Sequence, residues 1–390
     1  MPKRILAEMS NALFDLGEIS GETIFIDGTK IEASANKYTF VWKKAVTKNQ
    51  VKLLIKLADF VAACEQLYDI KIVYGNTMKT PLQKSIETLE DYLSRLKKYN
   101  QELHICGERN SYSKTDHDAT FMRMKEDAMG NGQLKPAYNL QHGVDSEYIT
   151  WLTIGPQPTD TTTLIPFLKD AQKHLNFKYK NITADAGYES EENYLFLEAN
   201  GQLSYIKPAN YEISKTRKYR NDIGKIENME YDAQSDIYTC QNGKKLTVDH
   251  IRHSKSKTGY VSEKTIYKCE DCSECPYKKD CIKGNHCKTP LEERTKSLQV
   301  AKTFLKYRQE DLERILSNDG ILFRTNRSIQ AEGSFGDIKQ DMKFRRYLSK
   351  GTTNVLAESV LLAMARNINK LHNKIQKGRT GTHLFPLKSA

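Results

Sequence analysis

The chain has 390 residues, with 60 Lys and Arg against 49 Asp and Glu, so its formal net charge is +11 at pH 7. Charged residues at 28% and apolar ones at 38% predict a soluble folded protein and argue against intrinsic disorder. No apolar run approaches the roughly 20 residues of a transmembrane helix, and Met1 to Phe14 lacks the continuous apolar stretch of a secretory signal. The expectation is a cytoplasmic protein with no membrane partner. At about 150 residues per domain the length leaves room for two or three, and the positive excess favours a polyanionic partner, nucleic acid first.

Thr23 to Ala33 reads as two short strands around an Asp27-Gly28 turn. Val51, Leu54, Ala58, Val61 and Ala62 recur at helical spacing, with a break near Ile72 to Tyr74. A second helix opens at Thr80-Pro81-Leu82-Gln83, with Thr80 as cap and Pro81 in the first turn. Leu82, Ile86, Leu89, Leu93, Leu96 and Leu103 then follow a heptad-like pattern, which predicts an antiparallel helical hairpin. Cys106 to Lys135 reads as loop or exposed ribbon. Its acidic knot, Asp116-His117-Asp118-Ala119-Thr120, reads as a loop or strand start, with a place near bound metal ions as the alternative. Tyr138 to Val144 and Tyr148 to Ile154 form a strand pair turned at Asp145-Ser146-Glu147. Pro156 to Asp160 breaks the sheet and caps a helix running to about Leu175. Asn181 to Ala184 is a strand ending at Asp185, Glu191 to Ala199 is helical, and Ser204 to Lys207 is a further strand. The order predicts an α/β fold, a mixed sheet with helices on its faces. From Ala209 to about Lys296 the chain turns polar, Tyr/Lys-rich and Cys-containing, as an inserted module does. Helical signal resumes near Leu298 and at Arg327 to Arg346, and a last amphipathic helix spans about Thr353 to Gln376. The remaining tail reads as disordered.

Three carboxylates fall at strand ends or on a helix after the insertion: Asp27, Asp185 and Glu332. In an open α/β sheet such positions converge on one edge, where clustered acids repel unless cations neutralise them; two hard divalent ions do so and clamp a phosphoryl displacement. Each acid also has a plainer reading, as hairpin turn, helix cap and solvated carboxylate. Lys339 stands seven residues after Glu332, which in an α-helix brings both to one face within about 20°. Gly333 and Gly336 cost a helix about 1 kcal/mol each relative to Ala, which calls for a packing or functional reason.

Phe25-Ile26-Asp27-Gly28-Thr29-Lys30-Ile31-Glu32-Ala33, Ala184-Asp185-Ala186-Gly187-Tyr188 and Arg327-Ser328-Ile329-Gln330-Ala331-Glu332-Gly333, with Phe335-Gly336 and Lys339, together resemble the bacterial insertion-sequence transposases of the DDE type. The resemblance runs from about Ile24 to His372. It implies a ribonuclease H-like fold with a helical insertion and a Cys-rich one, and Asp27, Asp185 and Glu332 as a triad for Mg²⁺ or Mn²⁺. The implied activity is metal-dependent cleavage and strand transfer of an insertion sequence, on transposon ends and target DNA, by a homodimer associated with the bacterial nucleoid. Lys339 matches the Lys of the family's Tyr-Arg-Glu-Lys signature. Arg327 stands one residue further from Glu332 than the usual Arg, and the Tyr is unmatched. The implied layout is a remnant N-terminal region at 1–20, core strands at 21–44, a helical arm at 45–105, core at 106–208, the Cys-rich insertion at 209–296, core helices at 297–376 and a tail at 377–390. Only about 22 residues precede the first strand, which suggests a truncated copy. The alternatives are therefore a catalytically incompetent DNA-binding remnant and a related zinc-stabilised nuclease.

Five of the eight cysteines lie between 269 and 287. Cys269, Cys272, Cys275 and Cys281 could supply one tetrahedral Zn²⁺, with Cys240, Cys287, His286 or His250 as substitutes. Such a metal would hold together a module too polar for its own core. From Ile321 to Ala390 there are 13 Lys and Arg against four Asp and Glu. Lys343, Arg345 and Arg346 follow the Glu332 helix beside Phe344 and Tyr347, and with Arg327 and Lys339 they are the candidate DNA-phosphate contacts.

Overall fold

The computed structural model describes residues 2–67, 81–124, 132–284 and 287–383. The expected break at Ile72 to Tyr74, the Thr80 cap and His286 lie outside them. The chain opens with α1 (Pro2–Asp15) and β1 (Thr23–Glu32), then β2 (Phe40–Trp42) and the hairpin of α2 (Lys43–Leu67) and α3 (Pro81–Cys106). Next come β3 (Ser111–Ser113), β4 (Thr120–Arg123), β5 (Leu134–Asp145), β6 (Tyr148–Gly155), α4 (Leu164–Gln172), β7 (Asn181–Ala184), α5 (Glu191–Ala199) and β8 (Leu203–Ile206).

These elements build a six-stranded sheet of order β4-β5-β1-β7-β8, with β6 also on β5. β1 is its hinge: it runs antiparallel to β5 and parallel to β7, which in turn runs parallel to β8. The expected mixed sheet with flanking helices is therefore present. β1, however, is one continuous strand through Asp27 and Gly28, not a hairpin. The glycine serves close approach instead of a turn, because a Cβ there would stand 2.3 Å from Gln141 Nε2 and 2.7 Å from Asp160 Oδ1. The β5–β6 turn is at Ser146-Glu147, both at positive φ (50° and 71°). That strained pair is held by Glu147 N–H donating to Gln330 Oε1 and by Ser146 Oγ donating to Asp145.

β3 and β4 correct the expected loop after Cys106, for both are buried apart from Arg123. Between them the acidic knot is structural. Asp116 accepts the buried Tyr138 hydroxyl, and Asp118 accepts the N–H and hydroxyl of Thr352.

After β8 come two short helical turns, α6 (Tyr211–Ser214) and α7 (Arg217–Arg220), and then strands β9 (Glu230–Asp232), β10 (Ile237–Thr239), β11 (Lys245–Lys255) and β12 (Val261–Cys269). The turn α8 (Lys278–Cys281) and strand β13 (Ser297–Val300) follow. The five strands form a second, antiparallel sheet in the order β13-β12-β11-β10-β9. This module does have a core of its own, of Met229, Tyr238, Leu246, Tyr267, Leu298 and Val300. Its tyrosines and one face of each strand escape a composition argument.

The C-terminal part holds α9 (Lys302–Leu316), α10 (Asn318–Arg327), a π-helical turn (Ser328–Glu332), α11 (Gly333–Gly336), a second π turn (Asp337–Asp341) and α12 (Thr352–Gln376). The helix expected to reach Arg346 stops at Asp341, and Lys343 takes a left-handed φ of 55°. α12 packs on α1 and β6, and the α10 segment crosses β1, β7 and β8. The main core between them is built on Ile24, Ile26, Leu140, Trp151, Phe167 and Ile182.

Candidate active site

β1 and β7 bring the first two acids together. Their parallel register pairs Phe25 with Thr183, and two residues on from each stand Asp27 and Asp185. The α10 segment lays the third acid over them. Arg327 bridges the cluster: one guanidinium nitrogen is 3.5 Å from Asp27 Oδ2 and the other donates to Glu332 Oε1 at 2.9 Å. Ser328 Oγ also donates to Glu332. Asp185 caps the turn after β7, accepting the Gly187 N–H on Oδ1.

The electrostatics agree with that placement. Burial pushes the Asp27 carboxyl up to about 6, and the charges of Asp185 and Glu332 push the same way. Arg327 and the Gly28 N–H oppose them. Hard carboxylate oxygens whose mutual repulsion raises a proton affinity are the donor set a divalent cation neutralises. Among the described residues no three His, Cys, Asp or Glu side chains are already gathered as a metal-holding group. Here the Arg327 guanidinium stands between Asp27 and Glu332 and supplies the positive charge itself.

One acid escaped the sequence reading, which gave Asp160 only a breaking and capping role. Its Oδ1 accepts amide donors from Asn139 and Gln141 at 2.7 and 2.9 Å. Its Oδ2 lies 3.5 Å from where a Gly187 Cβ would stand, a point 3.0 Å from Asp185 Oδ1. Gln141 is held in turn by the hydroxyls of Thr163 and Tyr188. The signal is Asn139 and Gln141, two amide side chains at strand spacing on one face of β5.

His142 was also missed. It pairs in register with Asp27, is fully buried, stacks on Phe335 at 4.3 Å and shares a hydrogen bond with Ser334 Oγ. Burial pushes its imidazole down to about 3, so it is neutral. It pins the Glu332 helix to the sheet.

The two π turns alter the expected Glu332–Lys339 relation. Bonding from i to i+5 takes more residues per turn, so seven residues no longer complete two turns. Lys339 is half-buried within the second π turn. Lys343 and Arg345 are exposed, whereas the Arg346 guanidinium donates to the Ala33 and Ala35 carbonyls at the end of β1.

In the second sheet, Cys240, Cys269, Cys272, Cys275 and Cys281 line one small cavity of about 20 Å³. Burial pushes the Cys269 thiol up to about 12, with Cys272 and Cys240 adding to it. Cys281 is raised by burial, with Cys240, Cys272 and Cys275 adding and Lys296 opposing. Cys287 is exposed, and His250 lies out on β11 against Asp249.

Residues 239–372 match the family model of a transposase DDE domain. The match supports a transposase DDE domain and the DNA-directed enzyme activity that goes with one. It spans part of the second sheet and the C-terminal helices, including Glu332 but neither Asp27 nor Asp185. No curated protein sequence matches the chain. Among the described residues no helix is long and apolar enough to cross a membrane.

Proposed function

We propose that this protein is an insertion-sequence transposase that cuts DNA phosphodiester bonds and joins the resulting 3′-hydroxyl ends to target DNA. The observation that carries the reading is Arg327 bridging Asp27 and Glu332, with Asp185 raising the Asp27 proton affinity. Arg327 links the acid on β1 to the acid on the C-terminal segment, and the charge of the acid after β7 reaches Asp27. The strand order β5-β1-β7-β8, with only β5 reversed, supports a ribonuclease H-like core.

Asp27, Asp185 and Glu332 would hold Mg²⁺ or Mn²⁺, which when bound supplies neutralising charge and polarises phosphate oxygens. The chain's own residues do the rest. Arg327 releases Glu332 and transfers its two-pronged donor face to a backbone phosphate, for which a guanidinium is shaped. Lys339, Lys343 and Arg345 hold the strand on either side, and Arg346 anchors the loop that carries Lys343 and Arg345. Asp160, fixed by Asn139 and Gln141, keeps a second carboxylate oxygen facing Asp185. Two copies would assemble on paired DNA ends. We assign the Cys269, Cys272, Cys275 and Cys281 set, with Cys240 beside it, to a structural Zn²⁺.

One observation favours a second reading. The Arg327 guanidinium itself holds Asp27 and Glu332, an arrangement that a DNA-binding remnant with no cleavage would keep. Nicking of a supercoiled plasmid carrying the DNA that flanks this gene separates the two. The expected result is Mg²⁺-dependent nicking that falls at least ~100-fold in Asp185→Ala. Equal activity in the two proteins refutes the triad, and binding without cleavage in any divalent metal supports the remnant.

A further inference from the structure

Helix α2 carries five lysines and no Asp or Glu between Lys43 and Lys56. Its partner α3 carries four Lys and Arg and four Asp and Glu. The balanced helix shows what an ordinary solvated face looks like, since mixed charges at i,i+4 support a helix and keep it soluble. α2 departs from that pattern at a cost. Its first turn has no acid and begins Lys43-Lys44, so cations face the positive end of the helix dipole, which disfavours them.

The lysines are also ordered. Val46 and Leu53 bury one side of α2, and Lys44, Lys48, Lys52 and Lys56 stand exposed, each four residues after the last. None of the four has an ion-pair partner among the described residues. At 1.5 Å per residue they form a stripe roughly 18 Å long. One strand of duplex DNA presents a phosphate about every 3.4 Å along the axis, so the stripe spans about five phosphates. Lys43, Thr47 and Asn110 extend it into a shallow hollow of about 630 Å³ together with Lys44, Lys48 and Lys52. Val51 and Ile55 are exposed between the lysines. They suit a sugar edge or a protein surface, and the unbroken single-sign charge decides for the polyanion.

We propose that the outer face of α2 is a second DNA-binding surface, separate from the basic segment after Glu332, which grips the backbone of duplex DNA without reading its sequence. This rests on the transposase reading, because it takes DNA to be the partner. The arm then serves to hold flanking duplex while the acids act elsewhere.

The test is fluorescence-anisotropy binding of the full chain to a random-sequence 30-base-pair duplex from 50 to 300 mM NaCl. In Lys44→Gln/Lys48→Gln/Lys52→Gln/Lys56→Gln the slope of log affinity against log salt should fall by about 3.6, at about 0.9 per lost phosphate contact. Affinity at 100 mM should drop at least ~10-fold. The four-Arg variant at the same positions should keep both. If the quadruple Gln variant fails to give a native circular dichroism spectrum, Lys48→Gln/Lys52→Gln should lower the slope by about 2. Salt-dependent binding that is undiminished in the variants overturns the α2 surface alone, and an acidic protein partner would then be the better occupant. Salt-independent or absent binding by the unmodified chain overturns the DNA reading itself.

Discussion

Replacing Asp27 by Asn should stabilise the protein wherever divalent cations are withheld. The carboxyl is raised from 3.8 to about 6, so the folded state holds its proton more tightly than the unfolded chain. At about 1.4 kcal/mol per tenfold change in proton affinity, ionising Asp27 costs the fold about 3 kcal/mol. The sign follows from linkage: the stability is fully present below pH 4, is lost as pH rises from 3.8 to about 6, and stays lost above that. Asn carries no charge to desolvate, and Arg327 keeps Glu332 as its partner. In EDTA at pH 8 the variant should therefore melt up to about 4 °C higher, given the unfolding entropy of a chain this long. At pH 4 the two should coincide. Adding Mg²⁺ should raise only the unmodified protein, since a ligand bound to the native state alone stabilises by mass action. A variant that melts lower than the unmodified chain at pH 8 in EDTA refutes the reasoning, because Asp27 would then be a satisfied ion pair and not a strained site.

Asp160→Asn keeps an oxygen for the Asn139 and Gln141 amides, so thermal stability should change by less than about 1 kcal/mol while plasmid nicking falls at least ~10-fold. Unaltered nicking would make Asp160 a packing residue. The purified chain should contain about one Zn²⁺ by elemental analysis, and Co²⁺ substitution should give a thiolate charge-transfer band that weakens in Cys272→Ser but not in Cys287→Ser. A reduced chain that takes up no Co²⁺ removes the zinc assignment. Gly320→Ala would place a Cβ 2.0 Å from the Arg314 carbonyl and 2.5 Å from Ile315 Cα, where α9 turns into α10. Urea unfolding should show a loss of about 1–3 kcal/mol, and an unchanged midpoint would mean that the α9–α10 corner yields freely.

Where local pattern and tertiary packing agree, the sequence was legible. The apolar periodicity of α12, the strand pair around Ser146-Glu147 and the strand ending at Asp185 all stand within a few residues of expectation. Asp27-Gly28 misled because a turn dipeptide also serves a strand whose neighbours press close. Ser111 to Ser113 and Thr120 to Arg123 are too short and polar to announce themselves, and owe their burial to residues elsewhere in the chain. The Glu332 helix reads as α from its sequence, since nothing in Ser328 to Glu332 or Asp337 to Asp341 marks i+5 bonding. Asp160 needed the sheet, because only the fold places it beside Asp185.

The arrangement of β1 between β5 and β7 has a consequence for how the protein is made. At 5–20 residues per second, synthesis of the chain takes roughly 20–80 s. The β1–β5 pairing can form early in that time, but the segment that carries Glu332 is made long after both strands. Contacts so distant in sequence also close slowly, because the loop entropy comes before the reward. The nascent polypeptide therefore grows from β1 to residue 328 without the proposed acid cluster, beside the nucleic acids of its own translation. Ribosome-bound chains ending before residue 328 should accordingly show no Mg²⁺-linked protection from proteolysis, whereas the released 390-residue chain should.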